Sequence, residues 1–242
     1  MPELEIKDID TIILCGGLGT RLKDIVKELP KPMVDIHGKP FLDLIVDYIS
    51  SFGLCRFILC SGYKSEVIGE YYRRKNDGLE YVLSEEDVPL GTGGATVKSK
   101  NFIKSKVFLG LNGDSICQID LKKFLSFHLA KKANISIALT SIDDPRDYGS
   151  IDLNEDQEIT GFNEKSSVPS GSGLVNAGIY LFSHQSLDSF PLNKKISLEY
   201  DVFPAFVGNG LYGYVDPAPL FDIGTPQRLD TLKNYFLPEG EK

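Results

Sequence analysis

The order of apolar runs in this chain predicts an α/β protein: a mostly parallel sheet flanked by helices on both faces, followed by a smaller part rich in β-hairpins. Three observations lead there. Apolar stretches of strand length alternate with helix-length amphipathic stretches up to Ile142. The run Ile12 to Leu14 is continuously apolar, as in a parallel strand covered on both faces. Beyond Gly149 the character shifts to short strands and turns.

Taken in order, strands are expected over 11–15, 56–61, 79–84, 106–111 and 134–142, with helices over about 20–28 and over 40–52, 64–75, 93–100 and 120–132. GSIDLNEDQEITGFNEK (149–165) reads as a hairpin with its tip at Asn154 to Gln157, and SSVPSGSG (166–173) as a flexible loop. NAGIYLFS (176–183) and LYGYVD (211–216) restore strands, and TPQRLDTLKNYF (225–236) makes a closing helix with Pro226 in its first turn. The whole chain, 1–242, reads as one Rossmann-like domain. Ligands of such sheets sit beyond the C-terminal ends of the strands, which is where Gly16, Glu85, Asn112 and Tyr148 fall.

Composition narrows the function. A hydrophobic content of 42% with 25% charged residues is ordinary for a globular protein, and no apolar run approaches the roughly 20 residues of a membrane span. The acidic N-terminus lacks the apolar core of a signal peptide, so a cytoplasmic protein is expected. A net charge of −8 argues against a broad nucleic-acid surface but leaves room for a local basic pocket that takes a small anion. Cys15, Cys55, Cys60 and Cys117 form no CxxC pair and read as reduced core residues rather than a zinc site. His37, His128 and His184 lie apart, with no Ser or Cys partner in a recognisable motif, and read as structural.

The most informative stretch is TIILCGGLGTRLKDIVKELPKP (11–32). An apolar strand breaks into Gly16, Gly17 and Gly19, which let backbone N–H groups approach an anion. A helix starting near Thr20 would aim its positive end at the same place. No Lys-Ser/Thr pair follows, as in a P-loop, and Leu22 stands where a dinucleotide fingerprint needs its third glycine. Arg21, which can fork onto phosphate oxygens, and Lys31, stiffened between Pro30 and Pro32, supply the positive charge instead. Further along, GLNGD (110–114) and FDIGTP (221–226) each present an acid at a turn, and two carboxylates on separate loops suit Mg²⁺. SEEDVPLGTGGA (84–95) places acids beside Gly91, Gly93 and Gly94, which permit close approach to a flat base.

Gly-Gly-x-Gly-Thr-Arg-Leu followed by Pro-Lys-Pro resembles the sugar-1-phosphate nucleotidylyltransferases, and the likeness continues through separate motifs over roughly residues 9 to 235. The resemblance implies the nucleotide-diphospho-sugar transferase fold, with a nucleotide-binding half over about 9–115 and a sugar-phosphate-binding half over about 116–236. It implies Mg²⁺-dependent transfer of a nucleoside monophosphate onto a sugar 1-phosphate, with release of pyrophosphate. Arg21, Lys31 and Lys165 are then the catalytic cations, and Asp114 and Asp222 hold the metal. The nucleotide falls to Leu14, Gly16, Gly17, Gly19, Thr20, Gly91 and Thr92, with Glu86 as the first choice for the base and Glu85 as the second. The sugar falls to Asn112, Tyr148, Gly149, Glu164, Asn176, Gly178 and, in a supporting role, Glu199.

An acidic stretch and then Pro-Leu-Gly-Thr is similar to the guanylyltransferase branch, where pyrimidine-specific relatives commonly carry Gln. A carboxylate can accept guanine N1–H and N2–H₂ together, which a neutral amide cannot do. The motifs are most similar to those of the D-glycero-D-manno-heptose 1-phosphate guanylyltransferases. The mannose 1-phosphate guanylyltransferases are almost as similar, although many extend into a β-helix for which little chain follows Phe236. GTP and a heptose 1-phosphate are therefore the expected substrates, within a capsule or surface-polysaccharide pathway. Mannose 1-phosphate or another sugar phosphate stays open, and so does a catalytically silent homologue that binds nucleotide-sugars. Relatives often form homo-oligomers, but nothing in the chain specifies an interface.

Overall fold

The computed structural model describes residues 4–17, 29–163, 171–191 and 195–237. Its strands are β1 (Asp10–Leu14), β2 (Asp35–Ile36), β3 (Lys39–Pro40), β4 (Arg56–Ser61), β5 (Glu80–Glu85), β6 (Val107–Asn112), β7 (Ser115–Cys117), β8 (Ile135–Ile142), β9 (Ser150–Leu153), β10 (Ile159–Asn163), β11 (Gly173–Ser183), β12 (Leu211–Val215) and β13 (Leu220–Asp222). The α-helices are α1 (Phe41–Ser50), α2 (Ser65–Arg74), α3 (Gly91–Lys98), α4 (Leu121–Lys131) and α5 (Pro226–Tyr235).

One sheet takes strands from both halves of the chain, in the order β12-β8-β11-β6-β1-β4-β5. All neighbours are parallel except at β11, which runs antiparallel to both β6 and β8. The mostly parallel sheet is therefore as expected, and the direction of β11 is new. β11 also begins at Gly173, inside the stretch expected as a loop. α3 begins at Gly91, two residues before the expected start, and passes into a 3₁₀ turn at Ser99–Phe102. The helix expected over about 20–28 lies outside the described residues.

Ile12 and Ile13 are both fully buried and face opposite layers, so β1 is covered on both sides. One layer contains α1, α2, α4 and α5, which pack Phe41, Ile68, Phe124 and Leu229 against the sheet. The other contains α3, the 150–163 hairpin and short turns that bring Leu187, Phe203 and Phe206. Local chemistry defines the helix starts: the Asp120 carboxylate accepts the Lys122 and Lys123 amides at 3.1 Å each, and Thr225 accepts the Arg228 amide at 3.3 Å with Pro226 in the first turn.

Cys15, Cys60 and Cys117 are buried, and burial pushes their thiols up, to about 12 for Cys60 and Cys117. Cys55 is exposed, against expectation, because it precedes β4 at the end of a turn.

The sheet positions the site at its reversal point. From β1 the chain builds outward to β4 and β5, then crosses back to add β6 on the other side of β1. The crevice at such a switch opens beyond the carboxyl ends of β1 and β6. There Leu14 pairs with Asn112, and the Gly113 amide donates to the Leu14 carbonyl at 3.0 Å. A Cβ at Gly113 would lie 2.7 Å from that carbonyl, so only glycine lets the two loops meet.

Candidate active site

Two cavities open on this edge of the sheet. A cavity of 390 Å³ is lined by Leu14, Gly16, Gly17, Glu86, Gly91 and Thr92. A cavity of 580 Å³ is lined by Tyr148, Gly149, Asn176, Gly178 and Asp222. Lys31, Asn112, Asp114 and Glu199 line both, so the cavities meet along these four side chains.

Lys31 opens a 3₁₀ turn between Pro30 and Pro32, and its side chain is only 13% exposed. Its Nζ donates to Asp114 Oδ2 at 2.6 Å. Asp114 follows β6, and Asp222 ends β13, whose antiparallel pairing with β7 places Asp222 opposite Ser115. The Ile223 amide completes the junction by donating to the Asp114 carbonyl at 3.0 Å. A short two-stranded ribbon thus brings together the two acids expected to hold metal.

In the smaller cavity, Glu86 Oε2 accepts the Leu90 amide at 2.8 Å, and its Oε1 lies 3.2 Å from the position a Cβ on Gly16 would take. Burial raises its carboxyl above the usual range, opposed by the Leu90 amide and by Lys98. Glu85 does not face this cavity. It is exposed and accepts from Ser65 Oγ at 3.3 Å, because successive side chains along an extended segment point to opposite sides. Of the two glutamates named for the base, only Glu86 lines the smaller cavity.

Gly91 and Gly93 have a role that the sequence did not suggest. The segment around Ile196 docks here, its amide donating to the Leu90 carbonyl at 2.9 Å and its carbonyl accepting the Gly93 amide at 3.0 Å. A Cβ on Gly91, at φ +73°, would sit 2.4 Å from that carbonyl. Thr92 Oγ1 accepts the Leu198 amide at 2.8 Å and donates to Glu199 Oε2 at 3.0 Å. Glu199 is therefore a wall shared by both cavities rather than a sugar-side group alone, and the Thr92 hydroxyl is committed to holding it.

In the larger cavity, the pairing of β11 with β8 shifts register between Asn176 and Tyr180, where Gly178 adopts φ +74°. The bulge aims the Asn176 amide into the cleft, its Oδ1 accepting the Gly178 amide at 2.8 Å and its Nδ2 donating to Tyr180 Oη at 3.0 Å. Tyr148 Oη donates to Asp222 Oδ2 at 2.5 Å. Burial first, then Asp222, pushes that phenol well above its usual range and keeps it a donor.

Arg21, Gly19, Thr20, Glu164 and Lys165 lie outside the described residues. Two cavity-lining cations escaped the sequence reading. Lys195, beside the Leu90 loop, carries no sequence signal. Arg228 does carry one, since a cation in the first turn of α5 opposes the helix dipole unless an anion pairs with it. The histidines stay out of the cleft: His128 is buried with Nδ1 2.9 Å from Ser136 Oγ, and His37 Nε2 lies 2.8 Å from the Lys233 carbonyl. Among the described residues no helix is long and apolar enough to cross a membrane.

A doubly wound sheet with a glycine-lined cavity at its switch point, joined to a polar cavity through a lysine and two acids, is the arrangement of a nucleotide-dependent transferase. The family model for nucleotidyl transferases matches residues 10–236, and the chain belongs to that family and is a nucleotidyltransferase. It is similar to the D-glycero-alpha-D-manno-heptose 1-phosphate guanylyltransferase of Campylobacter jejuni, 41% identical over 79% of this chain and 83% of that one. It is also similar to the mannose-1-phosphate guanylyltransferase of Mycobacterium tuberculosis, 34% identical over 90% of this chain, which spans 62% of that protein. Among solved structures, HddC from Yersinia pseudotuberculosis complexed with GMP-PN superposes with a TM-score of 0.83 at 35% identity, covering 94% of this chain and 99% of that one.

Proposed function

We propose that the protein transfers GMP from GTP to a sugar 1-phosphate, that the sugar is D-glycero-D-manno-heptose, and that Mg²⁺ assists. The observation that carries the guanine assignment is the half-buried Glu86 carboxylate facing the smaller cavity, where it would accept the N1–H and N2–H₂ donors. The heptose assignment is supported by the Campylobacter jejuni relative. A mannose 1-phosphate acceptor is the second reading, favoured by the Mycobacterium tuberculosis relative.

In this reading the triphosphate lies against Gly16 and Gly17, and the sugar phosphate enters from the larger cavity. Its phosphate oxygen attacks the α-phosphorus where the cavities meet. The bond from that phosphorus to the bridging oxygen breaks, and pyrophosphate leaves with the electron pair. Lys31, held near Asp114, would balance the charge developing on the α-phosphate, a role that positioning alone makes effective. Asn176 and Glu199 would take sugar hydroxyls, and Arg21 and Lys165 the outer phosphates.

Asp114 and Asp222 fit a hard divalent cation by their oxygen donors and their adjacency across the ribbon. Two such carboxylates suit an ion that takes one or two of them and completes its shell with water and phosphates. When bound, Mg²⁺ would draw the attacking and attacked phosphates together and offset their charge.

Pyrophosphate release with Mg²⁺, crossing GTP, ATP, CTP, UTP and dTTP against heptose, mannose and glucose 1-phosphates, tests the proposal. Release confined to GTP with the heptose supports it, and release with another pair corrects the specificity. No release with any pair, together with EDTA-insensitive nucleotide-sugar binding, would favour a silent homologue.

A further inference from the structure

The best-defined polar cluster in the larger cavity centres on Arg228, which no motif had marked. Its Nη1 lies 3.4 Å from Asp222 Oδ1 and 3.2 Å from Asp222 Oδ2, and its Nη2 donates to Asp147 Oδ2 at 2.6 Å. The guanidinium carbon stands 4.6 Å from the centre of the Tyr148 ring. The remaining bonds to Asp222 come from the Gly224 amide on Oδ1, at 2.7 Å, and from Tyr148 Oη on Oδ2. Arg228 thus straddles both oxygens of one acid while anchored to a second. With a side chain 26% exposed, it is fastened at its backbone by the Thr225 cap.

A carboxylate has about four lone-pair positions, and those of Asp222 are all approached by donors. A divalent cation binding there must take one over and would repel the guanidinium. The amide and the phenol carry no net charge, so Arg228 is the group the cation has to displace. Asp147 and the Tyr148 face give Arg228 a place to remain once Asp222 is engaged.

We propose that Arg228 is a positioning residue that competes with the divalent cation for Asp222, and so determines how tightly that carboxylate holds it. This rests on the assignment of Asp222 to the metal. The cost of displacing Arg228 is that of exchanging one partly exposed ion pair, so its removal should tighten cation binding on the order of fivefold.

The test is a titration of the substrate-free protein with Mn²⁺, reading the electron paramagnetic resonance of the free ion. Arg228→Met should bind Mn²⁺ about fivefold more tightly than the unmodified protein. Arg228→Lys, which keeps the charge but cannot fork between Asp147 and Asp222, should fall between the two. Lys233→Gln, which removes the same charge from α5 without touching Asp222, should leave the titration unchanged. If Arg228→Met binds equally or more weakly, or if Lys233→Gln tightens binding as much, the proposal is overturned. Asp222→Asn separates the two levels: lost Mn²⁺ binding upholds the metal assignment whatever Arg228 does, whereas binding like that of the unmodified protein, or no saturable binding by any variant, overturns both.

Discussion

Glu86 and Glu85 are neighbours in the chain with opposite surroundings, and the contrast defines what a single residue does here. Burial and the Leu90 amide orient Glu86 into the cavity, while Glu85 faces solvent and Ser65. Glu86→Gln should lower kcat/KM for GTP by about tenfold or more, the effect of losing a charged acceptor, and leave ATP nearly unaffected. Steady-state kinetics with both nucleotides check this, and an unchanged ranking would remove Glu86 from base recognition. Asp114→Asn and Asp222→Asn should each cut turnover by more than about a hundredfold with an unaltered circular dichroism spectrum, since each weakens a charge at the reacting phosphates rather than the core. Near-normal turnover in either variant would sink the metal assignment. Residue types and turn context made Lys31, Asp114 and Asp222 legible as candidates in the sequence, and Asn176 came only with the resemblance. Arg228 was not read as one, because its partners Asp147 and Asp222 come from other parts of the chain.

At the scale of elements, periodicity located nearly every strand and helix of the described sheet, because apolar alternation is a local property. The β11 bulge and the docking of the 195–199 segment on α3 left no such trace. Gly91 is where that docking can be tested. Its φ of +73° and the Ile196 carbonyl 2.4 Å from a would-be Cβ leave no room for a side chain. Gly91→Ala should cost about 2–4 kcal/mol, seen as a lower urea midpoint, since backbone strain and a clash with another backbone add. A midpoint unchanged from that of the unmodified protein would mean that the segment moves aside freely.

At the scale of the whole molecule, α4 meets the sheet through His128, buried against Ser136 of β8, where burial lowers its pKa from 6.5 to about 4. Between those values the unfolded chain binds a proton that the folded protein does not, so stability rises with pH across the window and is lost as pH falls through it. From pH 7 to pH 4 the His128 contribution amounts to ~3 kcal/mol of lost stability. Urea unfolding of the protein and of His128→Gln at both pH values measures it as the difference between their two pH slopes. Parallel slopes would show that His128 does not stay neutral in the folded state.

The sequence by itself determined the α/β class, the positions of the seven strands of the main sheet and the Pro-Lys-Pro loop, because propensity, periodicity and turn chemistry act over a few residues. Only the tertiary structure decided which glutamate faces the cavity, that Asp114 meets Asp222 at the end of a ribbon, that Glu199 stands between two cavities and that Arg228 grips Asp222. Those partners lie far apart in the chain, and their meeting depends on sheet register and on the reversal of strand order at β1, which no local pattern encodes.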